Sequence, residues 1–351
     1  MDPEKINPRS PTTVSRLVVS VVVQPAGIRC FTRLSTGATS VVECATDRYT
    51  VCVQSKLDST VDAEEVGREM SGSDGASGAE DAVLYEATAT GVAIVTFNRP
   101  ERLNAWGPDI AAGFYAAIDR AEDDPAVRVI LVTGRGRGFC AGAYLGAPSS
   151  AATMGETMEK AGQTNLADLV GERPPHFVTT LRKPVIAAIN GPCVGIGLTQ
   201  ALMCDVRFAA AGAKFAAVFA RRGLIAEFGI SWILPRLTNW GVALDLLLSG
   251  RTFLAEEAAE LGVVKEVVAG EDLMQRGMDY AEDMAANCSP ASMAVIKQQV
   301  YADATHGVVE ATSRAEVLLH EAMPRPDVIE GITSFLQKRP PQFPSLTSTD
   351  A

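Results

Sequence analysis

Two glycine-bearing stretches hold the residues best placed to do chemistry. Residues 134–145 read GRGRGFCAGAYL, and residues 190–205 read NGPCVGIGLTQALMCD. Each follows an apolar run of the kind that forms a buried strand, VRVILVT at 127–133 and PVIAAI at 184–189. Glycines at a strand end let the backbone turn sharply and come close to a ligand. Two such turns facing one another would aim backbone N–H groups at one carbonyl oxygen, which is the requirement for stabilising the enolate of a thioester. A single glycine-rich loop is otherwise an ordinary strand–helix junction. The first stretch lacks the third glycine of a dinucleotide-binding loop, and no Gly-Lys-Ser/Thr follows it as in a P-loop.

The elements that must hold these turns read as α/β from residue 83 onward. Strands are expected at 83–86 and 92–97, then a helix opened by Pro108 with Ile110, Phe114, Ala117, Ile118 and Ala121 on one face. The 127–133 strand, a loop at 148–162, a helix at 166–182 and strands at 184–189 and 206–210 follow. Helices are expected at 229–237, 241–249, 254–261, 272–286, 290–303, 307–321 and 326–338. Strand, helix and strand in repeated order imply right-handed parallel connections. Residues 1–80 read as a disordered or mis-assigned extension, with a strand-like run at 17–23 that has no obvious partner. Met70 is an alternative start, and a Gly/Ser-rich linker runs over 70–78. Residues 81–270 read as the core and 271–345 as a helical C-terminal region.

Composition narrows the partners. The 351-residue chain carries a formal net charge of −11, which disfavours nucleic acid or an anionic membrane as the main ligand. No apolar run approaches the ~20 residues of a membrane span. The seven cysteines lack C-x-x-C spacing and the three histidines lack ligand spacing, so reduced thiols, a cytoplasmic location and no metal are expected.

The order of motifs goes further. Asn98-Arg99-Pro100 with Asn104-Ala105 comes first, then Phe139-Cys140-Ala141-Gly142-Ala143 and Asn190-Gly191 with Gly195 and Gly197. Asp205-Val206-Arg207, Leu234-Pro235-Arg236-Leu237 and a tail running from Asp327 to Pro340 complete it. Over residues 83–345 this order resembles the enoyl-CoA hydratase/isomerase, or crotonase, family. The resemblance implies a crotonase-like superhelix of ββα units with a helical C-terminal region that trimerises, giving homotrimers or hexamers. It implies an acyl-CoA substrate, with coenzyme A as part of that substrate and no separate cofactor. By motif position the oxyanion-hole N–H groups fall at Ala143 and Ile196, beside Gly195. Isoleucine at the second place still donates an N–H.

The same resemblance exposes a gap. The two glutamates usual in hydratases fall at Thr199 and Phe219, and the usual Asp after the first turn is Tyr144. One carboxylate remains, Glu227, in the segment RGLIAEFGISWILPR at 222–236, where relatives often direct an acid at the acyl chain. Glu227 reads either as the acid/base or as an acid complementing the dipole of a helix that begins near Phe228. Hydration and double-bond isomerisation both stay open. So do another reaction of a CoA thioester, such as dehalogenation or hydrolysis, and a catalytically poor acyl-CoA-binding homologue. Arg102 and Leu103 fall where relatives contact the nucleotide end, and Ala141 and Tyr144 where they line the pantetheine. Tyr144 either contacts the acyl chain or simply packs. Phe219 and Trp232 read as core or acyl-pocket wall, and Phe335 and Lys338 as tail residues reaching CoA, or for Lys338 a solvated helix end.

Overall fold

The computed structural model describes residues 19–24, 27–33, 39–42, 82–144 and 173–346, the first three segments as backbone only. The chain divides into two units, residues 1–72 and 73–351. In the first, β1 (Val19–Gln24), β2 (Gly27–Arg33) and β3 (Thr39–Val42) form an antiparallel meander. The strand expected to lack a partner therefore has one in β2.

The second unit is built on a six-stranded sheet. Its strands are β4 (Val83–Ala87), β5 (Val92–Phe97), β6 (Val129–Gly134), β7 (Val185–Ile189), β9 (Val206–Ala210) and β12 (Glu266–Val268), in the order β12-β9-β7-β6-β5-β4. Only β4 runs antiparallel to its neighbour. A smaller sheet joins β8 (Cys193–Val194), β10 (Lys214–Ala216) and β11 (Thr252–Leu254). Bridges Trp106–Ala143 and Cys140–Cys193 lie outside the named strands. From β5, β6, β7 and β9 the chain passes in turn to Trp106, residues 140–143, β8 and β10, each a paired segment outside the large sheet. Helices follow: α1 (Pro108–Asp123) after Trp106, α2 (Ile196–Met203) after β8 and α3 (Ile230–Leu237) after β10. This is the expected ββα spiral.

Period-two alternation places the core on both faces of the large sheet. Ile130 and Val132 of β6 and Val185, Ala187 and Ile189 of β7 point to the α1–α2–α3 side, with Phe97, Trp106, Phe114 and Phe139. Val129, Leu131, Ile186 and Ala188 point to α6 (Leu273–Asn287). Buried on both faces, β6 and β7 read as the unbroken apolar runs of a parallel sheet.

The remaining helices are α4 (Trp240–Ser249), α5 (Ala255–Glu260), α7 (Pro290–Asp303), α8 (Val308–Ala322) and α9 (Pro326–Gln337). Their starts are local. Ser289 accepts from Ser292 N–H and Asn239 from Val242 N–H, both at 3.0 Å, and α7 and α9 open on proline. The expected 166–182 helix is not continuous in its described part. Pro175–Thr180 forms a 3₁₀ turn entered through Pro174, and residues 145–172 lie outside the described residues. Two successive prolines cannot sit inside an α-helix.

Candidate active site

Each glycine stretch leaves the large sheet at a strand end, after β6 and after β7. The two then run side by side. Cys140 pairs with Cys193 in parallel, Cys140 N–H donating to Pro192 O and Val194 N–H to Cys140 O, both at 3.0 Å. The 53-residue offset of this pair also relates Gly142 to Gly195 and Ala143 to Ile196. Gly142 sits at φ +112° and Gly195 at φ +54°, ψ −121°, conformations that favour glycine. A Cβ built on Gly195 would lie 4.0 Å from Gly142 Cα, so the turns are in contact. Beyond them Trp106 N–H donates to Gly142 O and Tyr144 N–H to Trp106 O, both at 2.7 Å, while Ile196 opens α2. Among the described residues neither Ala143 N–H nor Ile196 N–H donates to a carbonyl. Two unused backbone donors thus occupy equivalent places on adjoining turns.

Two asparagines fasten the turns. Asn104, fully buried, accepts from Arg99 N–H at 2.7 Å and donates to Arg135 O at 3.0 Å and Gly138 O at 2.7 Å. Asn190 accepts from Gly134 N–H at 3.3 Å and donates to Gly136 O at 2.9 Å. The motif asparagines thus hold loop backbone, a role their spacing alone does not reveal. The motif acid Asp205 is likewise structural. It accepts from Val185 N–H and Lys297 Nζ, both at 2.7 Å, and from the Tyr301 hydroxyl at 3.1 Å.

Thr199 is fully buried, with Oγ1 turned back on Gly195 O at 3.4 Å, and Phe219 is buried at the start of a 3₁₀ turn, Ala220–Arg222. Glu227 is half-buried, and burial raises its carboxyl above the usual carboxylate range. Among the described residues no hydrogen bond or ion pair engages its carboxylate. It precedes two left-handed residues, Phe228 at φ +56° and Gly229 at φ +86°, and α3 begins only at Ile230. Glu227 therefore stands ahead of the first turn, where its carbonyl accepts from Ile230 N–H at 3.2 Å while its side chain makes no cap hydrogen bond. A left-handed phenylalanine is unusual and marks a constrained turn.

Arg102 clamps Asp109 at 2.6 and 2.7 Å and lays its guanidinium 4.1 Å from the centre of the Tyr144 ring. Leu103 O accepts from Ala141 N–H at 3.0 Å, so these four residues form one rim beside the first turn. Trp232 lies elsewhere. Covered by Arg236 at 4.1 Å, it lines a separate cavity of about 410 Å³ with Leu202, Cys204, Asp205 and Tyr301, at the far end of α2 from Ile196. Phe335 is 80% exposed on α9, and Lys338 is exposed at its end; among the described residues no hydrogen bond or ion pair ties either to the turns. Gln200, uncharged and inside an apolar run, carries no sequence signal of a site. It is 3% exposed on α2, and both amide atoms lack partners among the described residues.

Among the described residues no cluster of three or more His, Cys, Asp or Glu is placed to hold a metal, and no helix is long and apolar enough to cross a membrane. Burial raises the thiols of Cys140 to about 11 and Cys204 to about 12.

Residues 87–345 match the profile of the family described as enoyl-CoA hydratase/isomerase. A 1,2-epoxyphenylacetyl-CoA isomerase of Escherichia coli K12 is 34% identical over 258 residues, 72% of this chain and 95% of its own. The crystal structure of an enoyl-CoA hydratase from Mycobacterium marinum is 73% identical, with a TM-score of 0.54, and is covered over 64% of this chain and 100% of its own. That of an enoyl-CoA hydratase from Polaromonas sp. JS666 is 27% identical with a TM-score of 0.65, over 74% of this chain and 99% of its own.

Proposed function

From the premise that this chain belongs to the enoyl-CoA hydratase/isomerase family and is an enzyme of it, we propose that it moves a double bond within an acyl-CoA thioester. In this reading Ala143 and Ile196 N–H groups bind the thioester oxygen, and Glu227 is the single acid/base. The observation that carries it is the half-buried Glu227 carboxylate, unpartnered among the described residues, combined with Thr199 and Phe219 where further acids would stand.

The chemistry follows from one carboxylate. Glu227 takes a proton from C2 of a 3-enoyl thioester, and the electron pair moves onto the thioester oxygen as a dienolate. Two preorganised N–H groups meet that charge, each worth about 10²–10³ in kcat. The same carboxyl returns the proton at C4, leaving the conjugated 2-enoyl thioester. No atom is gained or lost, and no second acid is needed. A carboxyl raised by burial is a better match to this task than an ordinary one. Hydration would need the carboxylate to activate water as well; the Escherichia coli relative is named an isomerase, and the Mycobacterium marinum one a hydratase.

The rim of Arg102, Leu103, Ala141 and Tyr144 is read as the CoA side of the site. The exposed apolar side chains of α8 and α9, Val308, Val309, Ile329, Ile332, Phe335 and Leu336 among them, support assembly into a homotrimer or hexamer. Phe335 and Lys338 would then reach CoA from a neighbour. Incubation with a panel of 3-enoyl- and 2-enoyl-CoA thioesters tests the reaction. A conjugation change in the ultraviolet without a mass change is expected. Net water addition as the main product would overturn it.

A further inference from the structure

α2 is buried along its whole length, yet it carries a carboxamide without a partner among the described residues. Gln200 is 3% exposed, and neither Nε2 nor Oε1 has a hydrogen-bond partner there. A buried polar atom without a partner destabilises the fold, and replacing it with an apolar group of the same shape would remove that cost. Such groups are rare in native proteins and call for a ligand, a water or a role. Thr199, its neighbour, shows the ordinary solution, since its hydroxyl turns back onto the helix at Gly195 O.

The position of Gln200 supplies the role. At 100° per residue it shares one face of α2 with Ile196 and Met203, about 40° and 60° away around the axis, while Thr199 is turned about 100° from it. Ile196 begins the helix with its unused N–H, about 6 Å up the axis from Gln200 at 1.5 Å per residue. Met203 closes the other end of that face, its Cε 3.2 Å from where a Cβ on Gly229 would stand. Gly229 lies two residues beyond Glu227. The face bearing Gln200 therefore runs from the oxyanion turn toward the turn that carries the carboxylate.

We propose that Gln200 is a specificity-determining residue, its carboxamide forming hydrogen bonds with an oxygen atom borne by the acyl group. This rests on the acyl-CoA reading above and narrows its substrate class to acyl thioesters with a hydroxyl, oxo or ether oxygen beyond the thioester carbonyl. The carboxamide offers both a donor and an acceptor, so it suits any of these. A purely apolar chain would leave both atoms unpaired, which is how a polar pocket rejects an analogue lacking the oxygen.

The test uses binding, so it does not depend on turnover. Full-length protein is titrated calorimetrically with hexanoyl-CoA and with hexanoyl-CoA bearing a hydroxyl at C3, C4, C5 or C6. At least one hydroxyacyl thioester is expected to bind about tenfold tighter than hexanoyl-CoA. Gln200→Met, which keeps the shape and removes both polar atoms, should abolish that preference. It should leave hexanoyl-CoA affinity within about threefold and the melting temperature unchanged or raised. Gln200→Leu serves as the second variant. Equal binding of all five thioesters to the wild type, or a preference that survives either variant, overturns the proposal. So does a lowered melting temperature with the preference intact, since that marks a structural amide. Failure of hexanoyl-CoA itself to bind would overturn the acyl-CoA reading beneath it.

Discussion

Gly195→Ala separates what the second turn does for stability from what it does for chemistry. Space is not the obstacle, because the added methyl would meet Val218 Cγ2 at 3.7 Å and Gly142 Cα at 4.0 Å, ordinary contacts. Conformation is the obstacle: φ +54°, ψ −121° is a region that alanine avoids at a cost of about 1–3 kcal/mol. For a unit of this size that lowers the melting temperature by roughly 2–4 °C per kcal/mol. Gly195 N–H is pinned to Ala216 O at 3.0 Å, so relief must come from the following peptide, which carries the Ile196 N–H. Turning that peptide removes one hole donor, and kcat should fall about 10²–10³-fold. Gly212→Ala is the control, at φ +73° with nothing within 4 Å of the new methyl. It should cost similar stability and leave kcat unchanged. Both variants are compared by thermal melts and steady-state turnover of an enoyl-CoA. Undiminished kcat in Gly195→Ala, with stability lost as in Gly212→Ala, would refute the reasoning.

Three other outcomes follow from contacts and charges. Burial raises the Glu227 carboxyl, so its native state holds the proton more tightly than the unfolded chain. The stability this contributes is present at low pH and is lost as pH rises through the raised native value; Glu227→Gln should therefore raise the melting temperature at pH 7 relative to wild type more than at pH 4, and an equal shift at both would contradict this. In the wild type, the acid limb of the kcat profile should lie above the ordinary glutamate range, because the base must be ionised. Asn104→Ala removes the fully buried amide's bonds with Arg99 N–H, Arg135 O and Gly138 O, of which Gly138 O keeps Asn190 Nδ2 at 3.3 Å, so chemical denaturation should show a loss of about 1–3 kcal/mol. Lys297→Met strands the Asp205 carboxylate, 2.7 Å from the lost ammonium; a loss of about 3–5 kcal/mol is expected, with partial recovery on adding Asp205→Asn.

The long helices were legible because amphipathic period and cap chemistry are local. Ser289-Pro290 marks the start of α7, and the expected 290–303 helix is the observed Pro290–Asp303. Strands β8, β10, β11 and β12, of two or three residues, were not legible, because so short a run shows no period and its partner is remote in sequence. The glycines announced the two turns. Their alignment through Cys140–Cys193 did not appear until the chain was folded, since a register between distant segments leaves no local mark. Asn104 and Asn190 read as motif letters, and only the structure gives their bonds to the loops. Gln200 sits in the apolar run GLTQALM, where a lone amide reads as an exposed interruption; its burial depends on elements packed around every side of α2.

The most direct measurement follows 3-hexenoyl-CoA in D₂O with wild-type protein and Glu227→Gln, reading conjugation by absorbance and mass by spectrometry. Wild type should form 2-hexenoyl-CoA without gaining water, with any deuterium confined to C2 and C4. Glu227→Gln should lose the reaction by about 10²-fold or more while still binding the thioester. A Glu227→Gln variant that isomerises at the wild-type rate, or a wild type that yields chiefly a hydrated product, would contradict a single-carboxylate proton shuttle at this site.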